Sequence, residues 1–209
     1  MGSVWCPRCG ADLVPPSAFS SAWRCPDHGQ VLPLTALRRR DSAAVSHIRD
    51  RARVPLWLPD PSPVGWTLSG LAGVGDERSG FRAAVSAHRG PAPLGGVGEW
   101  LIVAEEPGIG LGAGYAGSDL TSLPDESADA IPAKIHAGNH PTALWPVSGV
   151  DDGRSAYVGE ADGVWLWLIS YPADAGYAVL EDLSIVDVRT QRVPELVAGE
   201  PSDRLRPAR

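Results

Sequence analysis

The sequence of 209 residues has few of the features that would place it in a membrane. Its longest run of large apolar residues, Val164–Ile169, spans six positions, whereas a membrane-spanning helix needs about 18. The first residues contain neither the charged nor the apolar region of a signal peptide. We therefore expect a cytoplasmic protein without membrane contact.

The sequence also lacks the common signatures of enzymes. It contains no G-x-S-x-G nucleophile motif and no Gly-Lys-Ser/Thr phosphate-binding motif. Its three cysteines all lie within the first 25 residues, where they belong to the metal-binding pattern described below. No cysteine is then free to act as a nucleophile, so we assign no catalytic residue and favour a protein that is not an enzyme.

Apolar residues make up 44% of the chain and charged residues 21%, as is typical of a globular protein rather than a disordered one. The charge is uneven, because residues 1–53 carry a net charge of +4 and the remainder carries −11. The acidic part would repel a polyanion, which argues against extended nucleic-acid binding. The alternative that Arg38–Arg40 contact nucleic acid or the transcription machinery stays open.

Two five-residue repeats near the N-terminus form a metal-binding pattern. Cys6-Pro-Arg-Cys9-Gly10 and Cys25-Pro-Asp-His28-Gly29 share the template Cys-Pro-x-(Cys/His)-Gly. In each repeat proline restricts the backbone after the first ligand, and glycine permits a tight turn. Three thiolates and one imidazole at this spacing are typical of a zinc ribbon. We predict one structural Zn²⁺ per chain, without an open position for substrate, held by Cys6, Cys9, Cys25 and His28.

The two repeats, together with the segments Leu101–Gly112 and Val164–Pro172, resemble an uncharacterised actinobacterial family. Its members join a short N-terminal zinc ribbon to a β-rich domain of unknown function. The resemblance implies this architecture for most of the chain. It implies no activity, because none is known for the family.

The remaining patterns predict an α+β protein, in which the small N-terminal zinc ribbon is followed by a mostly antiparallel β-sheet domain with one or two helices. A helix over Ala43–Ala52, capped by Asp41 or Ser42, follows from the spacing of its apolar residues. A second helix is predicted from Pro172 to about Val188. The predicted divisions are a zinc ribbon at 1–34, a short helix and proline-rich linker at 35–63, the β-rich domain at 64–189 and a flexible tail at 190–209.

Alternating and apolar segments predict the strands, and Ser155–Glu160 with Val164–Ser170 form the clearest hairpin. In the second of these, Trp165 and Trp167 point to one face and the intervening leucines to the other, so we expect both faces to be covered. A tryptophan-lined groove for a ligand is the alternative. Further predicted strands are Trp66–Leu71, Phe81–His88, Glu99–Glu105, Lys134–His136 and Ala143–Val147.

A glycine-rich stretch follows the predicted strand Glu99–Glu105. Its segment Gly112–Gly117 matches G-x-G-x-x-G, but no amphipathic helix follows, so we predict a long loop rather than a dinucleotide site. Such a loop could still hold a ligand on its exposed N–H groups. The strand is expected to end in solvent, with its last two carboxylates on opposite faces. The possible ligand-binding residues are Gly108, Gly110, Gly112, Gly114, Gly117, Glu105 and Glu106.

Three functions are compatible with these patterns. We favour a non-enzymatic zinc-ribbon protein that binds a protein or peptide partner. A small-molecule binder or enzyme would use the glycine-rich loop, with His136 or His140 nearby, and Gly112→Val would then abolish binding while the fold survives. The third function is nucleic-acid or transcription-machinery contact through the basic N-terminal segment.

Overall fold

The computed structural model describes residues 4–18, 20–119, 132–177 and 183–207. The helices in these ranges are α1 (Ser42–Arg49), α2 (Leu111–Ala116) and a 3₁₀ helix, Ala173–Gly176. No described helix is long and apolar enough to cross a membrane. The described strands are β1 (Val4–Trp5), β2 (Arg24–Cys25), β3 (Gly29–Gln30), β4 (Leu34–Ala36), β5 (Trp57–Pro59), β6 (Thr67–Asp76), β7 (Gly80–Pro91), β8 (Val97–Glu105), β9 (Ala133–Ala137), β10 (His140–Pro146), β11 (Ser155–Ala161), β12 (Val164–Tyr171) and β13 (Ser184–Asp187).

Most of the described strands belong to one eleven-stranded sheet, in the order β1-β4-β6-β7-β8-β12-β11-β10-β9-β13-β5. Neighbouring strands are antiparallel except β9 and β13, which are parallel. The strands β2 and β3 form a separate antiparallel pair. A mostly antiparallel sheet with two helices is consistent with the predicted α+β class, and each predicted strand overlaps an observed one.

Both faces of the sheet are covered, as the alternation along β12 predicts. Leu166 and Leu168 lie in one apolar core together with residues of α1 and β5. Trp167 lies in a second core on the opposite face, together with Tyr115 of α2. All of these side chains are buried. Residues on both sides of a strand are hidden from water only when other elements pack on each face, and here α2 covers the tryptophan side.

Two local elements are found where the sequence predicts them, because each is formed by contacts between residues close together in the chain. Helix α1 begins after Asp41, whose Oδ1 accepts a hydrogen bond from the N–H of Ala44 at 3.0 Å. The β11–β12 turn contains Asp162 and Gly163 with φ of 55° and 75°. Positive φ at both central residues is what a two-residue type I′ hairpin turn requires. The predicted hairpin is confirmed.

The predicted second helix, Pro172 to about Val188, is wrong at both of its described ends. The 3₁₀ helix Ala173–Gly176 is one short turn, and Ser184–Asp187 form strand β13 between β9 and β5. Residues 178–182 of that prediction lie outside the described residues. Ile185 and Asp187 are buried, while the Asp187 carboxylate accepts the N–H of Leu56 at 3.2 Å. Pairing with distant strands overrides the helical spacing of this segment.

The C-terminal segment, for which the sequence predicts a flexible tail, lies against the sheet. The N–H of Leu68 donates to the carbonyl of Val197 at 2.8 Å, and the N–H of Gly199 donates to the carbonyl of Leu68 at 3.0 Å. Further on, the Tyr115 hydroxyl donates to the carbonyl of Leu205 at 2.8 Å, and the Leu205 side chain is buried. These contacts join residues 197–205 to β6 and α2.

Candidate metal centre and its contacts

The four predicted metal ligands lie together at the N-terminal end of the structure. One ligand atom from each of Cys6, Cys9, Cys25 and His28 lies within 4.8 Å of all the others. Cys9 Sγ and Cys25 Sγ are 3.7 Å apart, and His28 Nδ1 is 3.7 Å from Cys6 Sγ and 3.6 Å from Cys25 Sγ. Among the described residues this is the one such cluster of Cys, His, Asp and Glu.

The local backbone explains why the two repeats bring their ligands together. The N–H of Gly10 donates to the carbonyl of Cys6 at 2.9 Å, and the N–H of Cys6 donates to the carbonyl of Ala11 at 2.8 Å. Gly10 and Gly29, the equivalent glycines of the repeats, have φ of 67° and 68°. A side chain would be strained in this left-handed conformation, so glycine is required for both turns.

Burial and hydrogen bonding act on the ionisation of two of the thiols. Burial raises the pKa of Cys6 to about 12, so this thiol would stay protonated at neutral pH without a nearby positive charge. Burial also acts to raise the pKa of Cys25, but hydrogen bonding with the His28 side chain and with backbone groups outweighs it and lowers the pKa to about 7. A metal ion binds the thiolate form and supplies the missing positive charge.

The first repeat packs directly on the glycine-rich segment. The Arg8 guanidinium donates to the carbonyls of Gly108, at 2.6 Å, and Ile109, at 3.2 Å. A Cβ atom at Gly114 would lie 2.5 Å from the carbonyl oxygen of Pro7, which is closer than atoms can approach. On the other side, Arg206 Nε donates to the carbonyl of Gly10 at 2.7 Å. The candidate metal centre is therefore attached both to α2 and to the C-terminal segment.

The glycine-rich segment is not the long loop that its sequence predicts, because Leu111–Ala116 form α2. Glu105 is 1% exposed, and its carboxylate accepts the N–H groups of Leu111 at 2.7 Å and Gly112 at 3.2 Å. The expectation that the strand ends in solvent is thus wrong at Glu105. The first N–H groups of α2 are already bound by a carboxylate, which would repel a phosphate placed there. Glu106, on the opposite face, pairs with Arg82.

The seven predicted ligand-binding residues do not form one site. Gly108, Gly110 and Gly114 line a cavity of about 300 Å³ beside His28 and Trp165. Gly112 instead lies against Trp167, and Gly117 ends α2 with φ of 65°. Glu105 is buried under α2. Six of the predicted residues therefore divide between a cavity wall and the packing of α2 on the sheet, while Glu106 pairs with Arg82 on the other face.

The small-molecule alternative also includes His136 or His140. These residues lie on the paired strands β9 and β10. Neither belongs to a cluster of potential ligands among the described residues. Two cavities could not be predicted from the sequence, because their lining residues are far apart in the chain. One is a cleft that contains Trp57 and Trp145, and the other is a cavity that contains Arg89, Glu99 and Arg204. Strand spacing shows which face a residue occupies, but not which distant segment lies over it.

Glu105 is expected to make the stability of the protein depend on pH. Burial raises the pKa of its carboxyl to about 7, against the opposing effect of the Leu111 and Gly112 N–H groups. Because this exceeds the unfolded value of 4.5, the folded state favours the protonated form. The contribution of Glu105 to the stability of the folded state is therefore complete below pH 4.5 and is lost as the pH rises through 7.

Because of Glu105, the free energy of unfolding is expected to fall by on the order of 3 kcal/mol as the pH rises. The Glu105→Gln variant should lack this decrease. Urea unfolding between pH 4.5 and 8 measures it, with Glu106→Gln, the half-buried carboxylate next in the chain, as the matched control. The same pH dependence in wild type and both variants would contradict the prediction.

The structure defines a class of protein: a large, mostly antiparallel sheet with a four-residue Cys/His cluster attached to one face. Residues 1–205 match the model of a family of unknown function, DUF6758, and the chain belongs to this family. The expectation of an uncharacterised family is confirmed to that extent. No curated protein and no solved structure matches the chain.

Proposed function

We propose that Cys6, Cys9, Cys25 and His28 hold one structural zinc ion in an N-terminal zinc ribbon, and that the protein is a non-enzymatic binding protein. The observation that carries this proposal is the packing of the first repeat on α2. The backbone of Pro7 and Arg8, which lie between two of the clustered cysteines, contacts this helix. A zinc ion at the cluster would hold this backbone in the shape that fits α2.

The spacing of the ligand atoms suits tetrahedral zinc. Sulfur atoms about 2.3 Å from a tetrahedral zinc ion are about 3.8 Å apart, and a nitrogen ligand lies slightly closer to the ion. Three of the six separations, at 3.6 and 3.7 Å, agree with this geometry, and all six are within 4.8 Å. Thiolate ligands favour zinc over magnesium or calcium. All three cysteines are free of disulfides, which suits the proposed cytoplasmic location.

A structural ion differs from a catalytic one in having no open coordination position. Cobalt(II) in place of zinc would report this through its visible absorption bands. We expect azide to leave the bands of the cobalt protein unchanged, because four protein ligands complete the coordination. His28→Ala vacates one position. At cobalt concentrations high enough to saturate its weakened site, it is the control in which azide changes the spectrum. An azide-dependent change in the wild-type protein would favour a catalytic ion instead.

We propose that the partner, a protein or peptide, binds in a cleft of about 560 Å³ beside the β9–β10 hairpin. β10 and β11 pair at Trp145 and Pro146, and residues of both strands line the cleft. Trp145 and Trp57 line it, and the exposed Glu160 makes no ion pair with another described residue. An extended peptide with one basic and one apolar side chain would suit this lining.

Selection from a random-peptide display library on the immobilised protein tests this placement. We expect the selected peptides to combine Lys or Arg with an apolar residue. Trp145→Ala and Glu160→Gln should each weaken binding about tenfold, which corresponds to about 1.4 kcal/mol. Tyr177→Ala, an exposed aromatic residue outside the cleft, is the control. No selected sequence, or binding that neither cleft variant changes, would contradict the placement.

Contact with nucleic acid has less support. Arg39 Nε donates to the Asp41 carboxylate at 2.8 Å. Arg40 Nε donates to the carbonyl of Gly199 at 3.1 Å. Two of the three clustered arginines thus already have partners within the chain, which reduces their availability to phosphate groups.

A further inference from the structure

A second polar cavity lies on the face of the sheet that also carries α2, at the end of three adjacent strands. Arg89 on β7, Glu99 on β8 and Tyr171 on β12 lie directly opposite one another in the strand register, so their side chains point to the same face. Arg204 from the C-terminal segment places its guanidinium over the Tyr171 ring, 4.4 Å from the centroid. These four residues line a cavity of about 360 Å³.

The described charged groups of this cavity form no direct ion pair with one another. Arg89 and Glu99 are strand neighbours, yet the ion pair of Arg89 is with the exposed Glu200, at 3.7 Å. The Arg204 guanidinium makes no hydrogen bond or ion pair with another described residue. Glu99 is 9% exposed, and its Oε1 accepts the Ser69 hydroxyl at 3.4 Å. The buried Glu99 carboxylate, the exposed Asp203 carboxylate and two guanidinium groups thus line one open cavity.

We propose that this cavity binds a small zwitterion, an α-amino acid, whose carboxylate is held by Arg89 and Arg204 and whose ammonium group is held by Glu99. A simple anion would bring a second negative charge to Glu99, and a simple cation would leave the Arg204 guanidinium without a partner. An α-amino acid satisfies both requirements with adjacent groups, and the volume is sufficient for one such molecule.

Two further observations support the assignment. The Tyr171 hydroxyl donates to the carbonyl of Tyr115 at 2.7 Å, and Arg154 lies over the same ring, 5.3 Å from the centroid. The ring that supports Arg204 is therefore held in place before a ligand arrives. Burial raises the pKa of Glu99, against opposing effects of Ser202, Arg204 and Arg89. An ammonium group in the cavity would stabilise the ionised carboxylate.

Titration calorimetry on the zinc-loaded full-length protein tests the proposal. The probes are the common L-amino acids, each compared with its deaminated acid and its decarboxylated amine. We expect at least one amino acid to bind saturably and both analogues to bind about tenfold more weakly or not at all. Binding of the deaminated acid as tight as that of the amino acid would overturn the proposal, as would the absence of binding by every amino acid.

Two variants locate the binding in this cavity. Arg204→Gln and Glu99→Gln are each expected to weaken amino-acid binding about tenfold or more. Arg204 is exposed, so its replacement should leave the thermal melt unchanged, and Arg78→Gln, an exposed arginine elsewhere, is the control. Unchanged binding in both cavity variants would overturn the assignment. None of these outcomes bears on the metal centre, so the two proposals are tested separately.

Discussion

Replacing His28 with Ala is expected to release most of the bound zinc and to lower the melting temperature of the whole protein by roughly 10 °C. The side chain of His28 is exposed, so its removal takes little packing with it. The decrease in melting temperature would instead result from loss of the metal ion, because the metal-bound cluster holds the backbone that packs on α2. A cost of about 3 kcal/mol, a fraction of the free energy of zinc binding at structural sites, corresponds to such a shift in a chain of this size.

Metal analysis and calorimetric melting, with and without a strong chelator, provide the measurement. His47→Ala removes an exposed histidine from α1 and is the matched control, which should keep both zinc and melting temperature. Chelation of the wild-type protein should reproduce the melting temperature of His28→Ala. Full zinc content in the His28 variant would contradict the assignment of the ligand. A zinc-free protein that melts at the wild-type temperature would show that the ion does not stabilise the sheet.

Gly112→Val is expected to destabilise the folded protein by about 3 kcal/mol or more, rather than to leave the fold intact as the sequence suggested. A Cβ atom at Gly112 would lie 2.3 Å from Cγ of Trp167, a side chain that is completely buried. Exchanging glycine for a better helix former stabilises α2 by at most about 1 kcal/mol. The steric clash outweighs this gain, so the net change in the free energy of unfolding is destabilising. Urea unfolding measures the difference from the wild-type protein.

Gly114→Ala separates the packing of the metal centre from the packing of α2 on the sheet. Its Cβ would meet the backbone of Pro7 and Arg8, at 2.5 and 2.8 Å, rather than the core. We expect Gly114→Ala to destabilise the zinc-loaded protein and to cost much less after chelation, when the first repeat is no longer held in shape. The Gly112→Val penalty should persist after chelation. Equal penalties for Gly114→Ala with and without zinc would contradict the coupling.

Features encoded by a few neighbouring residues could be predicted from the sequence. The four candidate ligands belong to two short repeats, and each repeat closes its own turn at Gly10 or Gly29. Helix α1 is started by the Asp41 side chain, and the β11–β12 turn depends on Asp162 and Gly163. The covered faces of β12 follow from strict alternation. In each case the deciding contacts span only a few residues, so the local pattern carries the information.

Features decided by distant contacts could not be predicted in this way. Ser184–Asp187 is a strand because β9 and β5 lie on either side of it. The glycine-rich segment forms α2 because Glu105 binds its first N–H groups, and because glycine alone fits against Trp167 and Pro7. The sequence by itself determined the candidate ligand set, α1 and most of the strands. Tertiary structure alone decided where the metal centre packs and which charged groups share a cavity, since these depend on segments that meet only when the sheet is assembled.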